Sequence, residues 1–197
     1  GYIIGVDNNV NVARQTAITY DVSDDEILSK FYQLGSYRFY RSWLVWDLSA
    51  ESGTISSATL KLWTSNNAVG WGSYGLVLVE GKTGWKGEGN GGGSMHSRYT
   101  DWYWPGPGLE TYWGATALSD VVNEGSGSTE GVECTWTFNS TGIALINSKI
   151  GTSDYLELVL IAERDRQNQF SDSSNMAFWS NRYSDADKHP RITLTFT

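Results

Sequence analysis

The strongest constraint on the fold is an alternation of apolar and polar residues with a period of two. Near the end of the chain, Ile192, Leu194 and Phe196 alternate with polar residues, so one side of this segment is expected to face a core and the other side water. Similar short runs, rich in β-branched or aromatic residues, recur at residues 2–6, 10–19, 37–48, 58–64, 74–80, 132–138, 155–163 and 176–180. Nine strands without long helices between them predict an all-β protein, built as an antiparallel β-sandwich or jelly roll.

Two short segments are the exceptions to this pattern. Ser140 or Thr141 is expected to cap a helix that continues through Ile146 and stops near Gly151. Residues 118–123 are expected to form a turn or two of a second helix. The 197 residues fit one β-sandwich domain that spans residues 1–197.

The charge of the chain restricts its partners. The formal net charge is -8 and the pI is near 4.7, whereas nucleic acids and anionic membranes attract clusters of Lys and Arg. We therefore expect no nucleic-acid partner. The apolar runs are of strand length, far short of the ~20 residues that span a bilayer, so we expect no membrane insertion. A neutral glycan or a protein surface is easier to reconcile with this composition.

The most unusual segment is residues 99–113, where Pro and Gly interrupt a dense group of aromatic residues. Such rings in an irregular loop are typical of a platform on which sugar rings stack, because a large aromatic area is immobilised at little entropic cost. The alternative is an Ω-loop whose rings pack onto the protein itself. Two further Trp residues beside Gly complete the ligand-binding candidates, which are Tyr99, Trp102, Tyr103, Trp104, Trp113, Trp71 and Trp85.

Clusters of carboxylates and amides raise the question of a structural calcium ion. Asp7 with Asn9, and Asp185 with Asp187, offer the alternating oxygen ligands that calcium accepts, although none has the spacing of an EF-hand loop. Solvated turn residues are the alternative explanation, since Asp and Asn side chains cap turns. Cys134, the single cysteine, lies in a strand-like run and is expected to be a small buried side chain.

Three stretches resemble the DNRLRE (disaggregatase-related) domain, a jelly-roll module of secreted microbial and viral proteins. Residues 41–49 (RSWLVWDLS) and 55–63 (ISSATLKLW) are similar to two of its strands, and residues 178–182 with 189–194 are similar to its closing strands. The resemblance implies a non-catalytic module of the extracellular space, with relatives that bind carbohydrate. It also implies structural roles for Arg41 and Asp47, which stand at matched positions.

Three functions are consistent with these patterns. The first is a non-catalytic carbohydrate-binding or surface-attachment module that holds a polysaccharide or cell-surface glycan against the loop aromatics. The second is a structural subunit of a virion or extracellular filament, in which the same aromatics contact other subunits. The third is a polysaccharide lyase or hydrolase using His96, with Arg98 and Tyr99, or a carboxylate pair, for which the sequence carries no specific signature.

Overall fold

The described part of the chain is β-rich, with two antiparallel sheets and one short helix of more than a single turn. The structure is a computed structural model, and it describes residues 8–13, 18–20, 26–33, 37–65, 75–81, 113–122, 130–167, 174–179 and 183–197. Within these residues the strands are β1 (Asn8–Ala13), β2 (Ile18–Tyr20), β3 (Glu26–Gln33), β4 (Tyr37–Trp46), β5 (Ile55–Trp63), β6 (Leu76–Gly81), β7 (Trp113–Ala117), β8 (Glu133–Thr137), β9 (Leu156–Ala162), β10 (Ser174–Trp179) and β11 (Arg191–Phe196). The helices are α1 (Ser140–Lys149), α2 (Glu163–Arg166) and a 3-10 helix (Ala186–Lys188).

The larger sheet has eight described strands, and β4 pairs with three of them. The order is β10-β3-β4-β9-β6-β7, with β1 on β4 and β2 on β1. Phe39 and Tyr40 pair with both β1 and β3, while Ser42 and Trp43 pair with both β1 and β9. Since a strand has only two edges, β1 lies along one edge of β4, and β3 and β9 follow one another along the other.

The smaller sheet has three strands in the order β11-β5-β8, and only one of its two faces is buried. Its apolar side chains, which include Leu60, Leu62 and Trp136, point to one face and join the core. The larger sheet contributes Trp46, Leu78 and other side chains to the same core. The two sheets therefore share one hydrophobic core.

The central strands of the larger sheet are buried on both of their faces. All seven residues of β9 are buried, including Glu157, which is 8% exposed. Val77 and Val79 of β6 are fully buried although they point away from the shared core that Leu76 and Leu78 enter. This part of the larger sheet consequently presents no face to solvent.

Helix α1 confirms one of the two predicted helices, with its cap one residue earlier than expected. Asn139 is the N-cap, and its Oδ1 accepts a hydrogen bond from the backbone N–H of Gly142 at 3.0 Å. The Asn139 Nδ2 donates to the carbonyl oxygen of Ala117 at 2.8 Å, which fastens the helix start to β7. Gly142 permits this close approach, because a Cβ there would lie 2.3 Å from the carbonyl oxygen of Leu118.

The predicted second helix at residues 118–123 is wrong over its described part, residues 118–122. Its backbone groups pair with strands: Val122 forms a two-way bridge with Leu76, and Asp120 donates to the carbonyl oxygen of Thr137. Adjacent β-branched residues favour this extended conformation over a helix. The prediction at residues 10–19 coincides with parts of two antiparallel strands, β1 and β2, and β3 and β7 were not predicted. The predicted strand at residues 2–6 lies outside the described residues.

A joint at the end of β5 connects the two sheets. Thr64 donates its backbone N–H to the carbonyl oxygen of Val132 at 2.9 Å, and its own carbonyl oxygen accepts from Gly131 at 2.7 Å. The Thr64 side chain Oγ1 accepts from the backbone N–H of Val132 at 2.9 Å. The next residue, Ser65, donates to the carbonyl oxygen of Ala177 in β10 at 2.9 Å. Residues 64–65, both fully buried, thus bond to both sheets.

Replacing Thr64 by Val is expected to weaken this joint. Thr64→Val keeps the shape of the side chain but leaves the N–H of Val132 without its Oγ1 acceptor, which should lower the free energy of unfolding by about 1–3 kcal/mol. Urea denaturation measures the change. Thr193→Val makes the same chemical change on an exposed strand position and should stay within about 0.5 kcal/mol of the wild type. Equal effects of the two substitutions would contradict the role given to Thr64.

Candidate functional site

Most of the aromatic residues singled out from the sequence lie outside the described part of the structure. Trp113 is the exception, since its backbone begins β7 and pairs with Gly81 of β6. The platform at residues 99–113 therefore stays a prediction. The ligand-binding candidates outside the described residues are Tyr99, Trp102, Tyr103, Trp104, Trp71 and Trp85. The same holds for His96 and Arg98, on which the lyase hypothesis rests.

Two of the four calcium candidates have their side-chain contacts described. Asp185 is the N-cap of the 3-10 helix, where its Oδ1 accepts from the N–H of Asp187 at 3.1 Å, and its Oδ2 lies 3.8 Å from Nζ of Lys188. Asp187 Oδ1 accepts from Nη2 of Arg191 at 3.2 Å. Both carboxylates therefore cap or pair within their own turn.

The other two calcium candidates have no described side-chain contacts. The backbone of Asn9 lies in β1 opposite Ser42, and Asp7 precedes the described residues. In the described part of the chain no group of three or more His, Cys, Asp or Glu side chains is arranged to hold a metal ion. A structural calcium stays a prediction.

The smaller sheet has an outer face that points away from the core and is polar throughout most of its area. Strand register sets its rows: Thr59 lies between Thr193 and Thr137, and Lys61 lies between Arg191 and Thr135. Strand geometry gives this face roughly 20 Å along β5 and roughly 10 Å across the three strands. We call this surface the outer face, and its members are Ser57, Thr59, Lys61, Trp63, Glu133, Thr135, Thr137, Arg191, Thr193 and Thr195, each half-buried or exposed.

An ion pair stands near one end of the outer face. Lys61 Nζ lies 2.7 Å from Oε1 of Glu133, on the neighbouring strand. The hydrogen bond from Lys61 holds the pKa of the Glu133 carboxyl below its ordinary value; the charge of Lys61, the Thr135 hydroxyl and the charge of Arg191 act in the same direction, and slight burial opposes them. Glu133 is therefore an anion over the whole neutral range, fixed beside Trp63, its cross-strand neighbour.

Three aromatic residues lie close together in the strand register where the outer face ends. Thr64 forms a bridge with Phe178, and the same antiparallel register places Trp63 level with Trp179. Trp179 stacks on Tyr183 with the ring centroids 3.8 Å apart and the planes 8° from parallel. We call Trp63, Trp179 and Tyr183 the aromatic corner. Trp63 and Tyr183 are half-buried, while Trp179 is only 6% exposed.

Arg191 joins the outer face to the aromatic corner. Its guanidinium carbon lies 5.5 Å from the centroid of the Trp63 ring, within the range of a cation–π contact. Its Nη2 also donates to the carbonyl oxygen of Ala186 at 3.1 Å and to Asp187, so the 3-10 helix holds it in place. The Trp63 ring therefore packs on one side against Arg191, whose guanidinium is held by hydrogen bonds to Ala186 and Asp187.

The segment that carries Tyr183 is anchored in the same way. His189 Nε2 donates to the carbonyl oxygen of Tyr183 at 2.7 Å, which closes residues 183–189 into a compact turn. Lys188 places its Nζ 5.7 Å from the centroid of the Tyr183 ring. His189 thus stabilises the turn beside the aromatic corner.

The charged side chains around the aromatic corner balance one another. Among the described residues of the outer face and the aromatic corner, each Lys and Arg has a carboxylate partner, so these pairs add no net charge, although the whole chain carries -8. The surface is therefore locally neutral, aromatic and rich in hydroxyl groups, which suits an uncharged polar ligand better than a polyanion or a polycation. The pairs are Lys61 with Glu133, Lys188 with Asp185, and Arg191 with Asp187.

The sequence did not predict this surface, although the alternation in β11 indicated one of its strands. The alternation that placed Ile192 and Leu194 towards the core also placed Arg191 and Thr193 on the opposite side. The pairing of β11 with β5 and of β5 with β8, which assembles the rows, depends on contacts between residues 70 or more positions apart. Asp47, matched in the DNRLRE resemblance, accepts at Oδ1 from the N–H of Ser49 at 2.9 Å, as a turn-forming aspartate does.

Comparisons with known proteins do not assign the chain to a family. No protein family matches it, and a search of curated proteins finds no match either. The resemblance to the DNRLRE domain accordingly stays a prediction. Within the described residues, no helix has the length and apolar character needed to cross a bilayer.

The Lys61–Glu133 pair makes a testable pH prediction. Lys61→Met should raise the pKa of Glu133 towards its ordinary value, which carboxyl carbon NMR across the acidic range can follow. Because the pKa is lowered in the folded state, the pair stabilises the protein above the ordinary pKa of Glu and loses this contribution as pH falls through the folded-state value. The loss of stability should stay below about 1 kcal/mol, since both groups are partly exposed.

Lys149 provides a matched control, because it pairs with a carboxylate that lies away from the outer face. Lys149→Met removes the partner of Asp154 and should leave the titration of Glu133 unchanged. An unchanged Glu133 titration in Lys61→Met would show that the short contact between the two strands does not exist in solution.

Proposed function

We propose that this protein is a non-catalytic carbohydrate-binding or surface-attachment module of the extracellular space, with a jelly-roll connection of its two sheets. The observation that carries the proposal is the aromatic corner at the end of the outer face, where Trp63 is partly exposed beside anchored polar groups. A pyranose ring offers an apolar C–H face and a rim of hydroxyls. An aromatic ring that buries the former, next to side chains that bond the latter, is the usual chemistry of sugar recognition.

Charge favours a neutral glycan as the ligand. The outer face and the aromatic corner carry balanced ion pairs, so a neutral chain loses no charge interactions by binding there. An anionic polysaccharide would meet a protein of net charge -8. The side chains of Thr59, Thr135, Thr137 and Thr193 each provide a hydroxyl that can donate and accept, which matches sugar hydroxyl groups along an extended chain.

The length of the outer face supports binding of a linear glycan along β5. The row from Ser57 to Trp63 runs for roughly 20 Å, and it stays polar until it reaches the aromatic corner. Strand positions hold these side chains at fixed spacing, so little conformational entropy is lost when a ligand is bound. The loop aromatics at residues 99–113 are proposed as a second contact surface for the same class of ligand.

The first test is the loss of binding in Trp63→Ala. Isothermal titration with a panel of neutral and anionic polysaccharides should show a saturable interaction with a neutral glycan, weakened about tenfold or more by this substitution. Phe196→Ala is the matched control, because Phe196 is a 40% exposed aromatic residue at the other end of the smaller sheet and should leave the affinity unchanged.

Further variants separate the two aromatic surfaces and the competing function. Loss of binding in Trp102→Ala and Trp104→Ala, with Trp63→Ala unaffected, would assign recognition to the loop alone. If no glycan binds and sedimentation shows an oligomer that Trp63→Ala breaks into monomers, the surface is an interface between subunits, and a structural role in a virion or filament replaces the binding role.

A further inference from the structure

The indole N–H of Trp179 is buried without a hydrogen-bond partner. Trp179 is 6% exposed, and within the described part of the chain its Nε1 finds no acceptor. A buried donor in this state is costly, and native proteins nearly always satisfy such groups with protein, water or ligand. Trp46 has the same unpartnered N–H, but it is fully buried in the shared core, where an external ligand has no access. Trp179 instead lies at the aromatic corner.

This N–H and the contacts of the Trp179 and Tyr183 rings define what a ligand there must supply. Tyr183 covers one face of the Trp179 ring, and Lys188 Nζ lies over the Tyr183 ring, 5.7 Å from its centroid. An indole N–H and an ammonium group can donate hydrogen bonds and cannot accept them. The complementary ligand group therefore carries an acceptor oxygen and, next to it, an apolar part that fits against stacked rings.

The charge balance of the aromatic corner favours a neutral acceptor group on the sugar over a carboxylate. Lys188 is already paired with Asp185, at 3.8 Å, and Arg191 with Asp187, at 3.2 Å. A carboxylate ligand would add an uncompensated negative charge to a surface that is balanced, on a chain of net charge -8. A neutral amide carbonyl accepts strongly and avoids this cost, and in an acetamido group it is joined to an apolar methyl.

We propose that Trp179 and Tyr183 form a subsite for the acetamido group of a neutral, N-acetylated glycan. Trp179 Nε1 donates to the carbonyl oxygen, and the methyl group lies against the aromatic rings. Because Nε1 is covered in the free protein, neighbouring side chains shift to admit the group, while the backbone of Trp179 is held by its position in β10. This inference rests on the proposed glycan-binding function and names the sugar class that the site takes.

The test compares two sugars that differ only in the group concerned. A β-1,4-linked tetramer of N-acetylglucosamine and the glucose tetramer with the same linkage are titrated against the wild type and Trp179→Phe. The wild type should prefer the acetylated tetramer by about tenfold, and Trp179→Phe, which keeps a stacking ring but lacks the N–H, should lose most of this preference. Trp46→Phe makes the same change in the core and should keep the preference.

A measurement on the unmodified protein guards against misfolding of the variant. The indole N–H resonance of Trp179 should shift downfield with the acetylated tetramer and not with the glucose tetramer, as a newly formed hydrogen bond requires.

The outcomes separate the two proposals. If both tetramers bind equally, Trp63→Ala weakens both, and the Trp179 resonance does not move, the acetamido subsite is refuted while glycan binding stands. If no glycan binds to the wild type at all, both proposals fail.

Discussion

The structure depends on the hydrogen-bonded joint at Thr64 and Ser65. These two residues leave β5 of the smaller sheet and bond at once to residues 131–132 and to β10 of the larger sheet. Their polar groups are buried, so each unmade bond would be costly, and the register on both sides is fixed by this requirement. Because Trp63 precedes the joint and Trp179 follows the bridged Phe178, the same bonds set the aromatic corner.

The two sheets have different roles because they are buried differently. The central strands of the larger sheet, β6 and β9, are covered on both faces, and side chains there serve stability. The smaller sheet is covered on one face alone, so its other face is free to carry polar groups in fixed rows. Trp136 ties the two sheets through a hydrogen bond from Nε1 to the carbonyl oxygen of Leu76 at 3.0 Å. A rigid support beneath an exposed polar face is the arrangement on which the proposed function relies.

The sequence predicted those features that local patterns encode. The alternation in β11 and the apolar run of β9 located these strands, and the N-cap of α1 lies one residue before the first of the two expected caps. Residues 118–122 were misassigned because their backbone partners, Leu76 and Thr137, are distant in sequence. The candidate site was harder to predict, since the density of aromatics drew attention to residues 99–113, whereas the aromatic corner is assembled by strand register from positions that are far apart along the chain.

The most direct test of the account is a backbone amide NMR titration of the wild type with the tetramer of N-acetylglucosamine. The perturbed amides should cluster on β5, β8 and β11 and at residues 183–189, with the largest changes near Trp63. Changes confined to other regions, such as β6 and β9 or residues 118–122, would show that the outer face and the aromatic corner are not the ligand-binding surface, and would contradict the central claim.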